Sequence, residues 1–219
     1  MNFVLGFEKY CPQHAWLFAL IPLADLLAFV AAGIVLNLTP GADVIFATAS
    51  GMAAGPRVGA VAGLGVGLGG FFHVGLAALG VSAVIAAYPA ALVGLKLAGA
   101  GYLLGLAWGS WQAGATGDRG GEARARAALW RGFVTNALNP KVALFVLAFL
   151  PQFTDPARGP VWQQIVVLGA LFTVTGTLIT SSYGALAGLA GQQLARRMGW
   201  VNKVAAVTLA GLAIRMIWE

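Results

Sequence analysis

Charge is what this chain has least of. Asp, Glu, Lys and Arg make up 9% of its 219 residues, hydrophobic residues make up 59%, and the mean hydropathy is +0.84. Soluble domains carry roughly 25% charge, so a soluble globular domain is excluded and an integral membrane protein is expected. Cysteine is almost absent. Cys11 stands alone, which excludes an internal disulfide, a CxxC thiol relay and a thiolate metal cage. The apolar stretches bring no His, Asp and Glu together and set no serine beside a plausible base, which speaks against a membrane-embedded enzyme. No cofactor is expected. The first twenty residues contain Glu8 and Lys9 and lack both a basic start and a small-residue cleavage motif, so no removable signal peptide is expected.

What is present is length without charge. Residues 58–95 and 159–195 carry no Asp, Glu, Lys or Arg, and each exceeds the roughly 20 apolar residues that a spanning helix needs. The whole pattern predicts six spans, at about 23–54, 58–86, 88–111, 132–153, 161–194 and 203–218. An extension, 1–21, precedes them. A polar linker, 114–131, divides a first half, 22–113, from a second, 132–219. The net charge of +6 belongs to the loops. Arg57, then Arg119, Arg124, Arg126 and Arg131, then Arg196, Arg197 and Lys203 fall on one side, against Lys9, Arg158 and Arg215 on the other. The richer side is expected to be cytoplasmic, with both termini outside. The basic balance therefore points to membrane topology, and no nucleic-acid partner is expected. A seventh helix in the first twenty residues would move the N-terminus inside, but Glu8, Lys9 and His14 oppose it. All seven tryptophans lie near expected span ends, as interfacial aromatics do.

Two of the spans are interrupted. Residues 37–46 read NLTPGADVIF and residues 136–145 read NALNPKVALF. Each has an asparagine, then a proline that must break or kink the helix, then an ionisable residue, then an apolar run ending in phenylalanine. The two ionisable residues have opposite sign, Asp43 and Lys141. Around the breaks the halves resemble each other: Gly33 to Asn37 matches Gly132 to Asn136, and both halves end on Gly-Leu-Ala followed by a tryptophan, at 105 and 211. Three spans per half would make the repeats inverted, an arrangement in which discontinuous helices near the midplane form substrate sites. In the second span, glycines 59, 63 and 67 recur every four residues and favour close helix contact.

LTPGAD in the first span, the glycine-rich second, KLAGAGYLLGLAW in the third and GFVTNALNPKVALFVLAFLPQF in the fourth together resemble the LysE/RhtB family of amino-acid exporters. The likeness covers about residues 22–218, and NPK with its LPQF tail is its most specific part. It implies a bacterial inner-membrane exporter of amino acids or close derivatives, driven by protons. The family's usual PGP is Pro40-Gly41-Ala42 here, which predicts a softer first break.

The expected substrate-binding or coupling residues are Asn37, Pro40, Gly41, Asp43, His73, Asn136, Asn139, Pro140 and Lys141. Asp43 lies about 21 Å along a helix from Arg57 and about 27 Å from Asp25, deep in the bilayer, where an acid is costly and a functional candidate by default. Lys141 lies about 15 Å from Arg131; the bland alternative is a lysine snorkelling back to the interface. Pro40, Gly41, Asn139 and Pro140 shape the breaks and expose backbone groups, or merely kink the helices. Asn37 and Asn136 are expected to hydrogen-bond those freed groups. His73 either relays protons or satisfies a nearby carbonyl, and the second is favoured. Asp25, Lys96 and Arg215 read as interfacial anchors. Gly65, Gly67 and Gly70 fit GxGxxG by chance, since no strand precedes them. Asn37-Leu-Thr39 is a glycosylation sequon too deep to be used.

The expected partners are a small amino-acid substrate, protons and the lipid bilayer, with a homodimer left open. A single deep acid favours neutral over dibasic amino acids. The alternatives are a cation exporter, for which one deep carboxylate is a poor cage, a membrane-embedded enzyme, and a lipid-facing structural subunit. The last would not need opposite charges at two matched breaks.

Overall fold

The computed structural model describes residues 20–80, 89–112, 121–193 and, between 203 and 214, all but 205 and 212. Most of the 1–21 extension, the expected end of the second span, the first part of the linker and the end of the sixth span lie outside the described residues. The described chain is all helical. Its helices are α1, Leu23–Leu38; α2, Ala42–Ala54; α3, Pro56–Ala78; α4, Pro89–Gln112; α5, Gly121–Ala137; α6, Pro140–Leu144; and α7, Val161–Gln193. α6 continues through a π turn, Phe145–Phe149, into a 3-10 turn, Leu150–Phe153. Residues 203–214 are helical where described.

Both breaks fall where the sequence puts them. α1 ends at Leu38, where Thr39 turns back and gives its hydroxyl to the Val35 carbonyl at 2.7 Å. Pro40 has no N–H with which to continue the ladder. α2 restarts after Gly41 at an angle of 47° to α1. α5 ends at Ala137, and α6 restarts at Pro140 after a 53° bend. The missing second proline softens the first break by little: the two bends are of similar size. The second restart is the better built. Asn139 accepts the Lys141 N–H on its side-chain Oδ1 at 3.0 Å, with Pro140 at the first helical position, whereas Gly41 offers no side-chain cap.

Each bent pair runs on in one direction along its neighbours and does not double back. α1 and α2 follow α7 in parallel along its length, since Leu20 lies by Gly159, Gly33 by Phe172, Asn37 by Gly176, Gly51 by Gly184 and Met52 by Gly191. α3 runs antiparallel to α7, and α5 with α6 runs antiparallel to α1 with α2: Phe46 clusters with Ala128, Asp43 bonds Asn136, and Phe29 stacks near Phe145 and Phe153. Among the described residues α3 and α7 are the two helices long and apolar enough to cross a bilayer, and the bent pairs, if each is one span, bring the candidate spans to four. With exposed apolar side chains such as Leu27, Leu68, Val174 and Leu178 along them, these helices describe an integral membrane protein.

The α3–α7 contact holds the bundle together, and the glycine spacing explains it. Gly59 meets the Gly184 backbone, Gly63 meets Ser181, Gly67 meets Thr177 and Gly70 meets Thr173, so a Cβ at any of these would strike the neighbouring helix. Without a hydrophobic drive between helices in lipid, this close backbone approach is what stabilises the pair. A second glycine face, Gly65 and Gly69, takes α5 at Leu129 and Asn136. The expected polar linker 114–131 is helical from Gly121, so Arg124, Arg126 and Arg131 sit on α5 and not in a loop. Charged residues on the outer turns of a long helix leave no mark in a hydropathy pattern. Trp108, Trp111, Trp130 and Trp162 are exposed, as expected of interfacial aromatics.

Candidate functional site

The two breaks lie side by side and exchange partners. Asp43, in the first turn of α2, accepts on Oδ2 from the side-chain amides of Asn136 at 2.9 Å and Asn139 at 3.0 Å. Lys141, in the first turn of α6, donates from Nζ to the carbonyls of Leu36 at 2.7 Å and Thr39 at 2.8 Å. Those two carbonyls belong to the end of α1, which Pro40 deprives of its next hydrogen bonds and where the helix dipole favours a cation. The first break therefore presents acceptors and the second presents donors. Asn139 shows how this is enforced: its Oδ1 is taken by the Lys141 N–H, so its amide nitrogen must face Asp43.

Asp43 and Lys141 make no direct ion pair with each other, unlike the surface residues Arg158 and Asp155, which pair at 3.5 Å. Each charge is instead held by the dipoles of the opposite break. Snorkelling does not describe Lys141, because its ammonium turns into the first break. Oδ1 of Asp43 is buried and has no hydrogen-bond partner among the described residues.

Asn37 and Asn136 depart from expectation. Neither bonds the carbonyls that the breaks expose, because Lys141 has taken Leu36 and Thr39. Asn37 gives its amide to the Phe172 carbonyl at 3.2 Å and to the Thr175 hydroxyl at 3.3 Å, both on α7. Asn136 is tied to α3, where Nε2 of buried His73 lies 3.0 Å from its carbonyl oxygen. Since a carbonyl only accepts, His73 donates there, as the bland reading of that residue has it. Asn37 is thus anchored on α7 and Asn136 on α3. Nδ1 of His73 and Oδ1 of Asn136 are buried without partners among the described residues. Pro40 and Pro140 act through the backbone, and Gly41 packs against Lys141, with room for a Cβ at 3.5 Å from its Cδ and Nζ.

A cavity of about 20 Å³ lies between the breaks, lined among others by Leu36, Thr39, Asp43, Asn139, Lys141 and Thr180. It has room for about one water molecule and none for an amino acid. A far larger groove, about 1120 Å³, opens on the outer face of α3 and α5 beside exposed Leu68 and Trp130, away from both breaks. We place the site at the breaks, where the deep charges are. Thr180 was missed from the sequence, whereas the carbonyls were expected as exposed backbone groups without being assigned to Leu36 and Thr39. Main-chain acceptors follow from the proline in principle, but Thr180 carries no local signal. Among the described residues no three His, Cys, Asp or Glu side chains come together to hold a metal.

An integral membrane protein with two proline-broken spans and opposite charges at the breaks has the form of a transporter. The chain belongs to the LysE type translocator family, whose model matches residues 34–219. It is 33% identical over 173 residues to an uncharacterized membrane protein of Vibrio cholerae, covering 77% of this chain and 83% of that one. It is 31% identical over 165 residues to the homoserine/homoserine lactone efflux protein of Salmonella typhimurium, covering 73% and 79%. It is 28% identical over 156 residues to the leucine efflux protein of Enterobacter sp., covering 69% and 74%. No solved structure matches.

Proposed function

We propose that this translocator exports neutral amino acids or close derivatives across the bacterial inner membrane in exchange for protons. The observation that carries it is the crossed pairing of Asp43 with the Asn136 and Asn139 amides and of Lys141 with the Leu36 and Thr39 carbonyls. That arrangement is a zwitterion site closed upon itself. The Lys141 ammonium occupies an acceptor cradle that fits a substrate ammonium, and the Asp43 carboxylate occupies a donor cradle that fits a substrate carboxylate. An arriving amino acid replaces each protein charge in its cradle, with its ammonium on Leu36 O, Thr39 O and Asp43 and its carboxylate on Asn136, Asn139 and Lys141. The cavity must widen for this, so the closed form described here is an occluded one. A proton on Asp43 competes with the substrate ammonium for the same carboxylate, which gives the coupling; His73, through the Asn136 carbonyl, adjoins that route.

Six spans in two inverted halves underlie this reading. Its support is the opposite run of the two broken spans and the reciprocal anchoring of Asn37 on α7 and Asn136 on α3. The neutral preference is supported by the single deep acid and by relatives named for homoserine, homoserine lactone and leucine efflux, compounds without side-chain charge. Basic residues bias the loop ends toward the cytoplasm, with both termini outside. The test is uptake of a panel of labelled amino acids into inverted membrane vesicles with and without a proton gradient. Gradient-dependent accumulation of neutral amino acids is expected; an equal, flat response to every amino acid would overturn the assignment.

A further inference from the structure

α7 turns one stripe toward the first break. Phe172 stacks on Phe145 with centroids 4.4 Å apart and approaches Gly33, Gly176 lets Asn37 in, and Thr180, one turn further along, lines the small cavity with Asp43. Phe172 and Thr180 flank the position where Asn37 docks, so this face is fixed in register against the break.

Most hydroxyls of α7 are spent on hydrogen bonds; those of Thr173 and Thr180 are not, and of these two it is Thr180 that lines the cavity between the breaks, Thr173 packing against Gly70 of α3 instead. Thr175 and Thr177 give theirs to Leu171 and Thr173 carbonyls one turn back, Ser182 does the same toward Leu178, and Ser181 bonds Ala60 on α3. That local bond is the default for a helical hydroxyl in an apolar setting. Thr180 is 4% exposed and its hydroxyl has no hydrogen bond among the described residues. In the same cavity Asp43 keeps Oδ1 without a partner. Two residues that each keep an unpartnered oxygen in the closed form thus line one cavity, beside the carbonyls now held by Lys141.

We propose that Thr180 is a substrate-binding residue, the third contact of the ammonium site. This rests on the zwitterion-exchange reading above and extends it to α7. A primary ammonium has three N–H bonds. Oδ1 of Asp43 takes one, the Leu36 and Thr39 carbonyls take another, and the Thr180 hydroxyl takes the third. The third contact lies on a continuous helix, so it stays in place while the half-helices of the breaks part, and it selects for primary amines.

The experiment compares Thr180→Ala with Thr180→Ser in reconstituted counterflow, using the neutral amino acid that the wild-type protein exchanges best and its N,N-dimethyl derivative. The two variants lack the same methyl and differ by the hydroxyl. Alanine is expected to raise KM for the amino acid about tenfold, the usual effect of losing a hydrogen bond to a charged group. Serine is expected to restore KM to within about twofold of wild type, and KM for the dimethyl derivative is expected not to differ between the two variants. Equal KM values for the amino acid in alanine and serine variants would overturn the proposal, as would a wild-type KM in the alanine variant. A wild-type protein that exchanges no amino acid would instead remove the export reading itself, and this contact with it.

Discussion

The two breaks look alike in sequence and do opposite things. Both follow an asparagine, both turn on a proline, and they bend by 47° and 53°. Yet the first gives up helix carbonyls and an acid, and the second gives up side-chain amides and an ammonium. One part of the difference is capping. Gly41 leaves its break open-ended, while Asn139 closes its own with one face of its amide and turns the other outward to Asp43. A pair of similar breaks would have repelled or ignored each other. A complementary pair closes, and closure places both charges in the bilayer without isolating either, since each accepts or donates two hydrogen bonds from the opposite break.

The largest expected effect comes from removing the donor of the second break. Lys141→Met leaves the Leu36 and Thr39 carbonyls without their ammonium, and counterflow is expected to fall about a hundredfold while membrane insertion, read by a C-terminal fusion, stays normal. Arginine should rescue poorly, because its planar fork does not sit between two carbonyls as a compact ammonium does. Normal export by Lys141→Met would make the lysine an anchor and leave the breaks without complementarity.

Next come the asparagines. Asn139→Ala removes both a cap and a bond to Asp43 and is expected to lower the transport rate about tenfold; Asn136→Ala removes one Asp43 bond and should cost about threefold to tenfold. Rates measured side by side in vesicles decide this. A larger loss at Asn136 than at Asn139 would mean that the Asn136 amide, and not the capped Asn139, is the main hold on Asp43.

The smallest effects separate shape from chemistry. A Cβ on Gly41 stands in ordinary contact with Lys141 at 3.5 Å, at a backbone conformation open to any residue, so Gly41→Ala should transport within about twofold of wild type. Gly69→Ala, whose Cβ would come within 2.6 Å of Asn136 Cβ, should be much the worse of the two even though Gly69 carries no polar side chain. Measuring both in the same vesicles checks whether the second break must keep its position to within an ångström.

How far the sequence carried can be judged from these residues. The breaks and their prolines were legible because a proline in a long apolar run has few explanations. The glycine spacing of α3 was legible for the same reason. The extent of α5 was not, since its first turns are charged and look like a loop. The partners of Asn37 and Asn136 were not legible either: an amide bonds equally well to a freed carbonyl, a hydroxyl or a carboxylate, and only the fold decides which is near. Thr180 sits among three other threonines of α7, and nothing local marks Thr173 and Thr180 as the two without a bond to their own helix, or Thr180 as the one at the cavity.

Asp43 is where the account is most exposed. Its carboxylate is both the acid held by the second break and the group on which proton and substrate compete. Asp43→Asn keeps a polar side chain beside Asn136 and Asn139 but cannot carry the proton. In one vesicle preparation, counterflow of a neutral amino acid should survive in Asp43→Asn at reduced rate, while accumulation driven by a proton gradient should disappear. Full proton-driven accumulation by Asp43→Asn would contradict the account, because the exchange of charges between the breaks would then not be what couples transport.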